Sequence, residues 1–376
     1  MHYHFRHQTP DTRHQHWQTY VLSLSNNLIR RIFTRNLFIS SKLSLNVLSK
    51  LFPKSLLVLG VLLLSSSWSL QALTSKSGRV NNHRSDAIML PQSVVINYAR
   101  PNLLFGKNGV DISGVNFAGP ADIWNPDEGF LVQSTNPASY GLNFPTTGAD
   151  GLYFDLVIEE IDARQLVWEP VTHGGITATV TWIWAEDDWL TSGGEIIARV
   201  TLKGPEASAQ INNHYPNRIA VPRLPQIFEL VGRDISTGNE LVKYGFVLQK
   251  WFVNRKDKQD NYSNTEAWCR YLGYRVPQVK DLTNAICLGT WEGDWCKGSV
   301  GATPSSSGNH YQRRIGAGFF TEWGGTYLYA GAGFVYDYQY WTSDTAGNTQ
   351  FDVDSDVGDV YFNQSSNSPR GLCVTP

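Results

Sequence analysis

Cysteine and aspartate carry most of the chemistry this sequence has to offer. Four cysteines, Cys269, Cys287, Cys296 and Cys373, all fall in the last 108 of 376 residues. A thiol serves as a nucleophile, a metal ligand or half of a disulfide. An even count in a chain bound for an oxidising compartment predicts disulfides, in any of three connectivities. With a disulfide partner available to each, none is expected to be a catalytic nucleophile. The run "FDVDSDVGDVYF" sets Asp352, Asp354, Asp356 and Asp359 at the spacing of calcium-loop ligands. Its sixth position, however, is Val357 where such a loop needs glycine, and its twelfth is Asn363 in place of glutamate. The expectation is therefore a β-hairpin turned at Asp356-Val357-Gly358-Asp359, and no metal site. The acidic clusters Glu186-Asp187-Asp188 and Glu159-Glu160-Asp162 follow apolar alternation and read as solvated turns.

The histidines offer less. His83, His173, His214 and His310 are scattered, with no H-E-x-x-H, no G-x-S-x-G and no phosphate loop. No enzyme and no cofactor are predicted, although the paired carboxylates of a glycosidase are a matter of geometry that sequence does not carry.

Compartment follows from the first 72 residues. Leu56–Leu64, "LLVLGVLLL", sits between Lys50 and Lys54 on one side and "SSSWSLQA" on the other. That is a signal peptide with cleavage after Ala72, and it is shorter than the ~20 residues of a membrane span. The leader before it holds His2, His4, His7, His14 and His16, to which no function is assigned. Residues 1–72 carry eight Lys/Arg and one acidic residue, Asp11, which leaves 23 basic against 32 acidic residues in the remainder. An exported chain of that charge lacks the basic face that nucleic acid requires. Membrane contact is expected only through the signal segment or a separate anchor.

The elements that must position these residues are mostly strands. After a polar lead-in, 73–93, alternation marks Ile176–Trp184, with Ile176, Ala178, Val180, Trp182 and Trp184 on one face. Glu195–Lys203, Leu152–Ile158, Ile227–Val231 and Leu241–Trp251 are further strands, and 94–249 reads as a β-sandwich. Near Lys250 the pattern changes. Ser263 and Glu266 have capping-box spacing, Trp268, Tyr271 and Leu272 share a helical face, and Gly273 stands where a helix ends. Pro277 suits the opening turn of a second helix bearing Val279, Leu282 and Ile286.

The segments "KWFVNRKDKQDNYSNTEAWCRYLGYRVPQVKDL", "IGAGFFTEWGG", "YWTSD" and "GLCV" resemble the C-terminal lectin-like module of the intimin/invasin group of bacterial surface adhesins. Upstream, "NFPTTGADGLYFDL" resembles the immunoglobulin-like domain that precedes that module. The resemblance implies a mainly β chain with a small α+β part: an immunoglobulin-like β-sandwich at 94–249, then a C-type lectin-like adhesion domain at 250–376. It implies that Cys269 pairs with Cys373, which leaves Cys287 and Cys296 to clamp a loop of eight residues. Trp268, Trp323 and Trp341 belong to the motif and are expected in the core. The Glu-Pro-Asn-like and Trp-Asn-Asp-like motifs of calcium-dependent sugar binding are lacking.

By the same resemblance, Trp291, Trp295, Tyr327, Tyr329, Tyr336, Tyr338 and Tyr340 fall in an exposed loop region. The candidate ligand-binding residues are Trp291, Glu292, Asp294 and Trp295 within the small disulfide loop, together with Tyr336, Asp337 and Tyr338. Trp and Tyr give large contact areas at low entropic cost and also stack on sugars. The chain thus reads as an exported adhesin, secreted or held at the cell surface, whose partner is a host or bacterial surface protein or a glycan. The alternatives are a bacterial surface or biofilm structural protein, and an enzyme on a sulfatase-modifying type of scaffold.

Overall fold

The alternating segments do form strands, and two sheets of them close over one aromatic core. A computed structural model describes residues 95–106, 114–187, 189–190, 194–336 and 338–376. The leader, the signal segment, the 73–93 lead-in, Asp188 and Asp337 lie outside the described residues. In chain order the first strands are β1 (Ile96–Arg100), β2 (Trp124–Asn125), β3 (Gly129–Leu131), β4 (Thr147–Ala149), β5 (Tyr153–Ile158) and β6 (Leu166–Trp168). There follow β7 (Val171–His173), β8 (Ile176–Ala185), β9 (Glu195–Lys203), β10 (Gln226–Asp234) and β11 (Glu240–Leu248). Seven strands order as β2-β3-β1-β5-β9-β8-β7, and β11-β10-β6 make a second sheet. They face each other through Phe154, whose ring meets that of Phe246 edge-on at 5.8 Å, while Phe246 stacks on Phe228 at 5.1 Å.

Alternation placed the β8 side chains on the right face but did not foresee where cover ends. Ile176, Ala178 and Val180 are buried, whereas Trp182 and Trp184 are more than half exposed. The same face continues past the sheet that covers it. The Trp184 ring lies against Gly194, where a Cβ would come within 2.3 Å of it, and its Nε1 donates to Glu186 Oε1 at 2.7 Å. The adjoining turn is less solvated than expected, since Asp187 accepts from Arg199 and from the Tyr153 hydroxyl.

The remaining elements are β12 (Lys250–Gln259), α1 (Tyr262–Leu272), α2 (Val279–Leu282), α3 (Phe319–Trp323), β13 (Gln339–Ala346), β14 (Thr349–Asp354), β15 (Val360–Gln364) and β16 (Arg370–Val374). The expected strand Leu241–Trp251 is two strands, because the chain changes sheets at Gln249. Asn261, not Ser263, caps α1, accepting from Asn264 N at 2.9 Å. Gly273 ends the helix at φ 93°, a left-handed conformation that costs glycine little. Pro277 precedes the Gln278 cap of α2, which stops before Ile286. Among the described residues no helix is long and apolar enough to cross a membrane.

The third sheet orders as β15-β14-β13-β16-β12-β4. Its last member belongs to the upstream sequence: β4 pairs in parallel with β12, Thr147 opposite Lys250. Two buried ions reinforce this crossing. Glu322 on α3 accepts from the backbone N–H groups of Thr146 (3.1 Å), Thr147 (3.0 Å) and Gly316 (2.8 Å), and from the hydroxyls of Thr146 (2.8 Å) and Thr147 (2.5 Å). Arg313 donates to the carbonyls of Asn102 (2.5 Å), Leu104 (3.0 Å), Phe105 (3.0 Å) and Glu322 (2.9 Å). Buried ions survive only when so surrounded. One hydrophobic cluster accordingly runs from Ile96 to Val374, and the chain from Ala87 onward groups as one unit.

Candidate functional site

Two disulfides frame the C-terminal surface, one deep and one shallow. Cys269 on α1 is bonded to Cys373 on β16, with both residues fully buried and 104 residues apart. Cys287 is bonded to Cys296 across nine positions. The short loop they close consists of two single 3-10 turns, Gly289–Trp291 and Asp294–Cys296. Asn309, itself buried, holds this loop to β15: its Nδ2 donates to Trp291 O at 2.9 Å while its Oδ1 accepts from Val360 N at 2.9 Å.

The two loop tryptophans have different surroundings. Trp291 is half-buried, with Phe117 at 6.3 Å and His310 at 6.2 Å between ring centroids. Burial beside these rings pushes the His310 imidazole down to about 4, so it is neutral at physiological pH. Trp295 is 41% exposed and stacks on Tyr361 at 6.3 Å with 24° between the planes. Glu292 and Asp294 are exposed, and Glu292 Oε2 accepts from Gly289 N at 3.1 Å. The loop therefore presents one aromatic face and two carboxylates to solvent.

Beneath it the aspartate run does form a hairpin turn. Asp354 Oδ1 accepts from Asp356 N (2.7 Å) and Val357 N (3.1 Å), and Gly358 takes φ 71°. Asp352 and Tyr361 are cross-strand partners and share a face. Asn363 donates to Asp352, and the Tyr361 hydroxyl donates to Asp359. Burial pushes the Asp352 carboxyl up to about 7 and holds that of Asp359 well above the usual range, with Asp354 adding repulsion to both. Among the described residues no three His, Cys, Asp or Glu side chains converge as a metal site.

The other candidate residues stand on a separate segment. Tyr336 is 57% exposed and meets Tyr327 edge-on at 4.7 Å; Tyr338 is 37% exposed and its ring covers the Arg370 guanidinium. Tyr329 and Tyr340 correct the expectation of an aromatic-rich exposed loop, for both are fully buried. Tyr329 donates to Trp323 O at 3.1 Å, and Tyr340 packs on Phe320 and Phe334. Trp268, Trp323 and Trp341 are core residues. Tyr361 and Arg370 escaped the sequence reading. The alternation of "VYFNQ" opposite the aspartates was the available signal for Tyr361, and nothing comparable marked Arg370.

What fold and surface together define is a mainly β protein with a small, disulfide-stapled α+β part carrying exposed aromatic side chains. Two solved structures are similar to it. One is invasin, described as a bacterial integrin-binding protein, at 14% identity and a TM-score of 0.39, covering 63% of this chain and 36% of that one. The other is a mutant of intimin from EHEC O157:H7, at 13% identity and a TM-score of 0.33, covering 61% of this chain and 87% of that one. This chain thus spans little more than a third of the invasin chain. No family model and no curated protein matches it.

Proposed function

We propose that the chain is an exported bacterial adhesin-like protein whose C-terminal part binds a surface receptor, protein or glycan, without cofactor and without chemistry. The observation that carries this is Trp295: a large aromatic face left in solvent, backed by Tyr361 and held on a loop that the Cys287–Cys296 disulfide clamps. A rigid aromatic on a fixed loop loses little entropy on binding. Glu292 and Asp294 supply acceptors beside it, and Tyr336 and Tyr338 offer further contact area. The upstream sandwich serves as the support that carries this surface. The second reading, a bacterial surface or biofilm component, draws on Trp182 and Trp184, an exposed aromatic pair far from the disulfide loop in sequence.

Binding of the purified chain to cultured epithelial cells, with and without EDTA, tests the first reading. Binding is expected to survive EDTA and to fall sharply in Trp295→Ala with the thermal midpoint nearly unchanged. Trp291→Ala is expected to lower stability by roughly 2–3 kcal/mol, because its ring packs on Phe117 and His310. Loss of binding in EDTA would point to a cation on the aspartate hairpin. Absence of binding under both conditions would favour the bacterial-surface reading.

A further inference from the structure

Arg370 is 5% exposed, yet its Nε and Nη1 have no acceptor. The other deeply buried arginines each have acceptors of their own. Arg100 is paired with Glu128 and Glu195, Arg255 with Asp260 and the Ile211 carbonyl, and Arg313 with four carbonyls. Among the described residues no carboxylate lies within salt-bridge distance of Arg370. Leaving a buried guanidinium without acceptors is costly, and such a cost persists where the group has a use.

The surroundings of Arg370 indicate that use. Arg370 shares a strand face with Leu372, whose cross-strand partner is Asn254, and Asn254 Nδ2 donates to Ala332 O at 3.2 Å. The segment from Ala332 to Tyr338 therefore lies over this face. The Tyr338 ring stands 3.1 Å from the Arg370 Cζ and closes it off from solvent. Its backbone is fixed, because Ser355 N donates to Tyr338 O at 3.2 Å, so rotation of the ring alone uncovers the guanidinium. Lys256 brings a second positive charge to the same segment. It sits at φ 57° within the irregular stretch of β12, and its side-chain stem runs along Gly333. Left-handed backbone at a bulge in a non-glycine residue is a strained feature that re-aims a side chain.

We propose that Arg370 anchors the carboxylate of an acidic side chain on a protein partner, with Tyr338 as a cover that swings aside and Tyr336 as a flanking contact. The guanidinium fork matches a carboxylate through two parallel N–H donors. Arginine flanked by exposed tyrosines is also the composition enriched at the centre of protein interfaces. This site stands apart from the Trp295 loop, so it fails or holds independently of the adhesin reading.

The test titrates the full chain with a blocked Gly-Glu-Gly peptide, a blocked Gly-Gln-Gly peptide and free sialic acid. The readouts are the arginine Nε–H resonances and the thermal midpoint. The Glu peptide is expected to shift one arginine resonance and raise the midpoint, and the Gln peptide to do neither. Arg370→Lys should weaken Glu-peptide binding by about tenfold, since a point charge replaces a fork. Arg370→Met should abolish binding while leaving the unliganded midpoint unchanged or higher, because no internal partner is lost. A large fall in that midpoint would mean the guanidinium has a structural partner and would overturn the site. Equal response to the Glu and Gln peptides, or no response to any probe, would overturn it as well. Response to sialic acid alone would replace the protein partner by an acidic sugar.

Discussion

Glu322 offers the most direct check on how the two halves of the chain are joined. Glu322→Gln keeps the shape of the side chain and exchanges one acceptor oxygen for an NH2 group. Five donors now converge on the carboxylate: the N–H groups of Thr146, Thr147 and Gly316 and the two threonine hydroxyls. The amide nitrogen accepts from none of them, so at least one buried backbone N–H is orphaned at a cost of about 1–3 kcal/mol. The surviving bonds drop from charge-assisted to neutral, roughly halving their strength. Burial pushes the Glu322 carboxyl upward in pKa while these donors pull it back, so removing the charge returns part of the loss. The net expectation is a destabilisation of about 2–4 kcal/mol. Urea unfolding followed by tryptophan fluorescence and by far-UV circular dichroism measures it. Because Thr146 and Thr147 adjoin β4 and Glu322 lies on α3, both probes should report one transition that shifts as a whole. Two separate transitions in the unsubstituted chain, or a shift below about 0.5 kcal/mol, would refute the reasoning.

The other predictions concern titration and cross-links. His310 has a folded pKa of about 4, below the ordinary 6.5. The unfolded chain therefore binds the extra proton first, and stability is lost as pH falls from about 6.5 towards 4, by up to ~3 kcal/mol. Asp352 runs the opposite way. Its folded pKa of about 7 lies above the ordinary 3.8, so its contribution is present below about 4 and is lost as pH rises through 7. Asp352→Asn should stabilise the chain at pH 8 and change little at pH 4, and His310→Gln should flatten the acid limb; chemical denaturation at several pH values checks both. Replacing Cys269 and Cys373 together by alanine should cost about 4–5 kcal/mol, whereas replacing Cys287 and Cys296 should cost about 2–3 kcal/mol, because loop-closure entropy grows with loop length. Midpoints of the two double variants under oxidising conditions give the comparison.

Local pattern served well where the cause was local. Period-two alternation located β8 and β9, and Gly273 marked the end of α1 because only a residue tolerant of positive φ stops a helix that way. It failed where two residues compete for one role, as Ser263 and Asn261 do for the helix cap. It also failed where the chain changes partner without changing pattern, as at Gln249 between β11 and β12. Among the candidate contact residues, residue type did not separate Trp291 from Trp295, or Tyr338 from Tyr340. One member of each pair meets other rings and the other meets solvent.

The sequence by itself determined which segments are strands, where the helices end and which residue types are available for binding, since backbone preference and side-chain period act over a few residues. Tertiary structure alone decided that Thr147, 175 positions before Glu322, shares its carboxylate, and that β4 completes a sheet built from the last third of the chain. It decided too that Arg370 is buried without an acceptor while Trp295 stays in water. Burial depends on what covers a residue, and the covering residues come from parts of the chain that no local pattern connects.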